Sequence, residues 1–145
     1  MKFSNTITIQ RPIHEVFGFV SDLENDPRWN YAIVQTRKSS QGAIGVGTTY
    51  CQTRSVPSRS EETLRVTDFE PDRRFAFEGD LGPLRGTLRY EFDDVDGATR
   101  LTNTAELEAS GILALAAPIA SGRIREAVAE NLRTLKQLLE RESAE

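Results

Sequence analysis

The feature that most constrains the fold is a long amphipathic helix predicted near the end of the chain, over Gly111–Glu142. Apolar side chains recur there every three or four residues, and charged side chains fill the opposite side. The predicted inner stripe consists of Ile124, Val128, Asn131, Leu132, Leu135, Leu138 and Leu139. A helix of about thirty residues is about 45 Å long. It therefore needs an extended apolar surface along its length.

The residues before this helix are predicted to form seven strands and two short helices. Alternating polarity and turn residues place the strands at Phe3–Gln10, Ala32–Arg37, Thr48–Arg54, Glu62–Phe69, Arg73–Glu78, Leu84–Phe92 and Thr99–Ala109. Pro12–Val20 is predicted to be helical, and Ser21–Asn25 is predicted to be a helical turn that ends at Asp26-Pro27. Gly79–Pro83 is predicted to be a turn, and Asp96-Gly97 a tight hairpin. Short connections favour antiparallel pairing.

This order of elements predicts an α+β fold, in which a one-sided antiparallel sheet curves around the terminal helix. The sequence contains no internal repeat, low-complexity tract or linker. Residues 1–145 are therefore expected to form a single domain.

Composition narrows the classes of partner. The net charge of −4 disfavours nucleic acid, which is normally bound by a basic surface. No apolar run is long enough for stable membrane insertion, and the first residues lack the apolar core of a signal peptide. Cys51 is the only cysteine, which favours a soluble protein in the cytoplasm. With one histidine and one cysteine, no metal site is expected, and no cofactor motif is found.

Several segments resemble START-like domains of the SRPBCC superfamily, in its polyketide cyclase/dehydrase-like branch. They are Ile9–Phe17, Val20–Trp29, Val46–Tyr50, Val66–Pro71, Gly97–Thr102 and Asn131–Lys136. The resemblance implies the helix-grip fold, in which a seven-stranded antiparallel sheet grips the last helix and a cavity lies between them. Members of the superfamily include lipid carriers, hormone and sterol binders and ring-cyclising enzymes. The resemblance therefore implies hydrophobic ligand binding without specifying the ligand.

Side chains predicted to point into that cavity are the candidates for ligand contact. Buried hydroxyl and amide groups are the most informative, because they require hydrogen-bond partners. The predicted ligand-binding residues are Trp29, Tyr31, Tyr50, Gln52, Phe77, Tyr90, Asn103, Leu115, Ile119 and Arg123. The apolar residues on these faces are expected to be mostly plain core. Trp29 is interpreted as a wedge that closes one end of the core, with a place at the cavity mouth as the alternative.

Glu62 is the one weak catalytic candidate. Strand parity turns it inward, and an acid in an apolar cavity suits proton transfer, but its place beside a polar loop favours solvent exposure. His14 is expected on the surface, so no Ser-His-Asp or Cys-His set can be assembled. Catalysis therefore has no recognisable residue set.

The apolar stretch Ile112–Ile119 contains Pro118, which is expected to kink the terminal helix. Simple burial against the sheet is the first interpretation of this stretch. The alternatives are a cover or gate for the cavity, or a contact with a membrane or a second subunit.

Together, these observations predict that the protein binds or carries a small hydrophobic molecule, such as a lipid, an isoprenoid or a polyketide-like compound. The alternative is an enzyme of the polyketide cyclase or dehydratase type that acts in the same cavity. A third hypothesis is an interaction module with a filled core. The oligomeric state does not follow from the sequence.

Overall fold

A computed structural model describes residues 1–109 and 117–144 of the chain. The elements are β1 (Lys2–Ile9), α1 (Ile13–Val20), a 3₁₀ helix (Leu23–Arg28), β2 (Ile33–Lys38), β3 (Thr49–Arg54), β4 (Ser60–Glu70), β5 (Arg74–Leu81), β6 (Leu84–Val95), β7 (Ala98–Glu108) and α2 (Ala117–Ala144). The seven strands form one antiparallel sheet in the order β1-β7-β6-β5-β4-β3-β2. The predicted α+β helix-grip architecture is confirmed.

Most strand boundaries differ from the predictions by one to three residues, and three differences concern helices or turns. The 3₁₀ helix runs through Pro27 to Arg28 instead of ending at Asp26-Pro27, because the Asn25 N–H donates to the Asp22 carbonyl oxygen and the Trp29 N–H donates to the Asp26 carbonyl oxygen, and neither bond uses the proline nitrogen. Strand β5 continues through Gly79 to Leu81, which shortens the predicted turn. In the described part of the chain α2 begins at Ala117, and the predicted helical residues 111–116 lie outside the described residues.

Two glycines allow the central strands to pack closely. Gly79 of β5 and Gly86 of β6 are directly paired. A Cβ atom on Gly86 would lie 1.9 Å from the carbonyl oxygen of Glu106, and one on Gly79 would lie 2.4 Å from that of Thr63. No side chain fits at either position, so glycine is required there.

The core lies between the concave face of the sheet and the helices. Tyr50, Phe75 and Leu101 are fully buried on the sheet, and Leu132 and Leu135 of α2 are buried against them. The predicted stripe of α2 thus faces the sheet, and burial of each leucine contributes about 1.5–3 kcal/mol. Cys51, next to Tyr50, is exposed, as strand alternation predicts.

Helix α2 also covers one edge of the sheet. The Lys136 Nζ donates to the Thr8 carbonyl oxygen at 2.6 Å, and the Gln10 N–H donates to Glu140 Oε2 at 2.7 Å. The Asn5 Nδ2 donates to the Arg125 carbonyl oxygen at 3.2 Å. These bonds hold α2 along β1, so this edge is protected from pairing with another chain.

At the turn between β6 and β7, Asp96 and Gly97 have φ angles of 53° and 88°. These are the angles of a type I′ hairpin, so the predicted Asp-Gly turn is confirmed.

Candidate functional site

A cavity of about 290 Å³ lies between the first half of α2 and the ends of several strands. Its lining residues are Phe3, Asn30, Tyr31, Ala32, Arg54, Val56, Pro57, Leu81, Pro83, Leu84, Leu88, Leu107, Ile124, Ala127, Val128 and Asn131. We refer to it as the apolar pocket. The volume lies near the lower end of the range for small-molecule sites.

The helical wall of the apolar pocket follows directly from the sequence. Ile124, Ala127, Val128 and Asn131 are spaced so that they lie on one face of α2. Ala127 is small and therefore leaves space that a larger residue would fill. The same stripe that anchors the helix further along, at Leu132 and Leu135, thus forms the wall of the pocket at this end.

One wall of the pocket contains an ion pair between Arg54 and Glu62. The Arg54 Nε lies 3.1 Å from Oε1 and 3.0 Å from Oε2 of Glu62. The carboxylate also accepts hydrogen bonds from Gln52 Nε2 at 2.8 Å, Ser60 Oγ at 2.8 Å and the Gly82 N–H at 2.5 Å. The predicted inward direction of Glu62 is confirmed.

The expectation that Glu62 is exposed to solvent was wrong, because only 5% of the residue is accessible. Its position at the start of β4 brings it beside donors from β3 and from the turn between β5 and β6. These donors replace the water that the carboxylate loses on burial.

Arg54 is the charged residue among those that line the pocket, and part of its guanidinium is available to a ligand. Within the described part of the chain its hydrogen bonds all run from Nε to Glu62, so its terminal amino groups are not used. Its side chain is 13% exposed and lines the pocket. Arg54 was absent from the predicted site, although alternation from Tyr50 through Gln52 places it on the same inward face.

Among the ten predicted ligand-binding residues, Tyr31 lines the apolar pocket, and 62% of it is exposed. Six others are buried and are not among the lining residues: Trp29, Tyr50, Gln52, Phe77, Tyr90 and Asn103. Ile119 and Arg123 are exposed on α2 and are not among the lining residues either. Leu115 lies outside the described residues.

Trp29 is buried, and its ring packs edge-on against Tyr90 with a centroid distance of 6.5 Å. This position agrees with the interpretation of Trp29 as a wedge in the core. His14 is exposed and lies 3.3 Å from Asp72 on the surface.

A second group of polar side chains is buried in the core, and we call it the buried polar cluster: Asp26, Trp29, Tyr50, Tyr90 and Asn103. Four of these residues have buried atoms that make no hydrogen bond of normal geometry, namely Asp26 Oδ1, Trp29 Nε1, Tyr50 OH and both amide atoms of Asn103. Weaker polar contacts join Tyr90 to the Asn103 amide and Tyr50 to the Leu23 backbone. Such atoms are uncommon in native proteins, because each costs about 1–3 kcal/mol.

Electrostatic effects connect the members of the cluster. Burial raises the pKa of Asp26 well above its ordinary value, and the charge of Asp22 adds to this shift. Burial also raises the pKa of Tyr50 and that of Tyr90, and the negative charge of Asp26 contributes to both shifts. The neighbouring Asn103 amide acts in the opposite direction on the pKa of Tyr90.

The sequence prediction missed Asp26, which was interpreted only as the end of a helical turn. In a 3₁₀ helix, residues three apart lie on the same side. Leu23 and Asp26 have this spacing, and both are buried. The spacing was therefore the signal in the sequence, although it required knowledge of the helix type.

In the described residues, no three His, Cys, Asp or Glu side chains are grouped in a way that would hold a metal ion. None of the helices in those same ranges combines the length and apolar character needed to cross a bilayer.

The fold and the apolar pocket between sheet and helix define a START-like helix-grip protein. The chain belongs to the family described as polyketide cyclase / dehydrase and lipid transport, whose profile matches residues 1–140. The resemblance noted in the sequence is thereby confirmed.

Solved structures share the fold at low sequence identity. The di-domain ARO/CYC BexL from the BE-7585A biosynthetic pathway is 16% identical with a TM-score of 0.78; the match covers 97% of this chain and 46% of BexL. A protein from Thermus thermophilus, TTHA0849, is 17% identical with a TM-score of 0.75, covering 94% and 95% of the two chains. A START superfamily protein from Mycobacterium smegmatis is 14% identical with a TM-score of 0.70, covering 92% and 98%. No curated protein sequence matches the chain.

Proposed function

We propose that this chain, taken as a single domain over residues 1–145, binds and carries a small hydrophobic molecule in the apolar pocket. The observation that supports this most directly is the pocket itself, with a volume of about 290 Å³ and a lining that consists mainly of apolar side chains. Pockets of this character bind ligands by removing apolar surface from water. Candidate ligands are a lipid, an isoprenoid or a polyketide-like compound.

The charge balance at Arg54 favours a neutral ligand with an oxygen atom near the wall of the pocket. Glu62 already pairs with the guanidinium, so the wall has no net charge. A carboxylate ligand would lose its hydration without meeting an uncompensated cation. A carbonyl or hydroxyl oxygen loses less on transfer and can still accept a hydrogen bond from a terminal amino group of Arg54.

The pocket supports binding better than the alternative of a cyclase- or dehydratase-type enzyme. Proton transfer requires an acid or base within hydrogen-bond reach of the ligand. Among the lining residues that the structure describes there is no aspartate, glutamate, histidine or cysteine, and Tyr31 is largely exposed. An acid could therefore reach the ligand only from the buried residues beneath the lining, at Asp26 or Tyr90. The four donors around Glu62 occupy the carboxylate, and Arg54 is the residue of the pair that lines the pocket. The pocket also disfavours an interaction module with a filled core.

The family description supports a hydrophobic partner, since it names both lipid transport and polyketide chemistry. A location in the cytoplasm is part of the same proposal, and Cys51, which is free and exposed, is compatible with it. The presence of one free thiol suits a reducing compartment.

Native mass spectrometry of the protein purified from its own host, followed by extraction with organic solvent, would identify the bound molecule. We expect a neutral, mainly apolar compound of defined mass. Protein that is free of ligand under several growth conditions would argue against the carrier function.

A pair of variants locates the binding site. Ala127→Phe places a large side chain in the apolar pocket, whereas Gln137→Phe places the same side chain on the exposed face of α2. With naphthalene as the apolar probe, we expect Ala127→Phe to weaken binding at least about tenfold and Gln137→Phe to leave it unchanged. Equal affinity in the two variants would place the probe elsewhere.

A further inference from the structure

Two segments that line the apolar pocket also carry members of the buried polar cluster, and those members lie deeper in the core. On the sheet, Leu88 lines the pocket, and Tyr90 is the next inward residue of β6, about 6.6 Å further along the strand. Asn30 lines the pocket, and its N–H donates to the Asp26 carbonyl oxygen at 2.8 Å, one turn earlier. The cluster therefore lies beneath the floor of the pocket.

The members of the cluster are held close together by the fold. Tyr90 is paired with Asn103 across β6 and β7, and its ring contacts Trp29. The carboxyl group of Asp26 lies close enough to the hydroxyl groups of Tyr90 and Tyr50 for its ionisation to contribute to the raised pKa of each. These side chains come from the 3₁₀ helix and its end, from β3, from β6 and from β7.

The unpartnered atoms of the cluster include both donors and acceptors. Trp29 Nε1 and Asn103 Nδ2 can only donate, whereas Asn103 Oδ1 can only accept. All members are at least nine-tenths buried, so bulk water cannot satisfy them. A buried acid without a basic partner is particularly costly, and a leucine would be the more stable choice at that position. A polar group placed among these atoms would supply the hydrogen-bond partners that they lack.

We propose that Asp26, Tyr90 and Asn103 form a polar subsite at the inner end of the apolar pocket, which binds a hydroxyl or carbonyl oxygen of the ligand. This inference rests on the proposed function and specifies the chemistry of the ligand: an apolar body whose leading end bears an oxygen atom. Such an oxygen can accept from the Asn103 amide and from the Tyr90 hydroxyl, and a hydroxyl can also donate to Asn103 Oδ1. Binding then satisfies atoms that have no partner in the free protein.

Two probes of the same shape test the subsite: naphthalene, and β-naphthol, which adds one hydroxyl group. The variants are Asp26→Leu and Tyr90→Phe, and the control is Thr104→Val, next to Asn103 on the opposite face of β7. We expect the preference for β-naphthol over naphthalene to be about tenfold greater in the wild type and the control than in either variant. Asp26→Leu is expected to fold well, because it removes an unpaired buried acid.

Trp29 supplies an independent readout, because it is the only tryptophan and gives one indole N–H signal. We expect β-naphthol to shift this signal in a nitrogen–proton correlation spectrum of the wild type, and naphthalene to shift it less. If both probes bind with the same relative affinity in all four proteins, or if the indole signal does not respond, the subsite is refuted while the pocket stands. If neither probe binds, or if binding is insensitive to Ala127→Phe, the proposed function itself fails.

Discussion

Replacing Asp26 by asparagine should change how the stability of the protein depends on pH. Asp26 is 6% exposed, its Oδ1 atom has no hydrogen-bond partner, and Asp22 adds negative charge nearby. These conditions disfavour the ionised carboxylate, so the pKa of Asp26 is higher in the folded chain than in the unfolded chain. Asparagine has nearly the same shape and no charge at any pH.

The sign and size of the effect follow from proton binding. Between the unfolded pKa of about 3.9 and the raised folded pKa, the native state binds more protons than the unfolded state. The stability that Asp26 contributes is therefore complete below about pH 3.9 and is lost as the pH rises towards the folded pKa. Each pH unit in this interval lowers the free energy of unfolding of the wild type by about 1.4 kcal/mol relative to Asp26→Asn.

Urea unfolding followed by circular dichroism, at several pH values from about 4 to about 7, measures this difference. Asp93→Asn, which removes an exposed carboxylate on β6, serves as the control and should follow the wild type. The difference between Asp26→Asn and the wild type should grow steadily as the pH rises. Parallel curves over the whole range would refute the argument that burial keeps this carboxyl group protonated.

Three further substitutions test the packing of the fold by urea unfolding. Glu62→Ala should cost about 3–5 kcal/mol, because it leaves Arg54 without its buried partner; a loss below about 1 kcal/mol would contradict the ion pair as described. Gly86→Ala should cost about 3 kcal/mol through a clash with the facing strand, whereas Gly45→Ala, where nothing lies within 4 Å, should be nearly neutral. Leu135→Ala in the fully buried stripe of α2 should cost about 2–5 kcal/mol, and a neutral result would show that α2 does not anchor the sheet.

The periodicity of the sequence was sufficient for most of the fold. Strand alternation placed Tyr50 and Gln52 inward and Cys51 outward, and the structure agrees. The helical stripe at Leu132 and Leu135 was predicted to face the sheet, which it does. These predictions are correct because an amphipathic strand or helix turns its apolar face towards the core, whichever elements it packs against.

Most of the candidate site did not follow from periodicity. The same alternation that turned Tyr50 inward also applies to Arg54, yet whether Arg54 lines a cavity depends on the turn between β5 and β6 that approaches it. Tyr90 and Asn103 were predicted to contact the ligand from their inward parity and their polar groups, and they are buried and not among the lining residues. Strand alternation predicts on which face of the sheet a side chain lies. Whether that side chain lines the pocket depends on how closely α2 packs against that face.

The two buried acids, Glu62 and Asp26, show which properties the sequence determines and which depend on the tertiary structure. The sequence alone determined that seven strands surround one long helix, and the alternation of β4 offered an inward position for Glu62, although the adjacent polar loop favoured exposure. Only the tertiary structure decided that Glu62 receives four donors, from β3, from β4 and from the turn after β5, while Asp26 Oδ1 receives none. The physical reason is that hydrogen-bond partners of a buried charge come from residues distant in the chain, and their positions are fixed only when the strands and α2 have packed together.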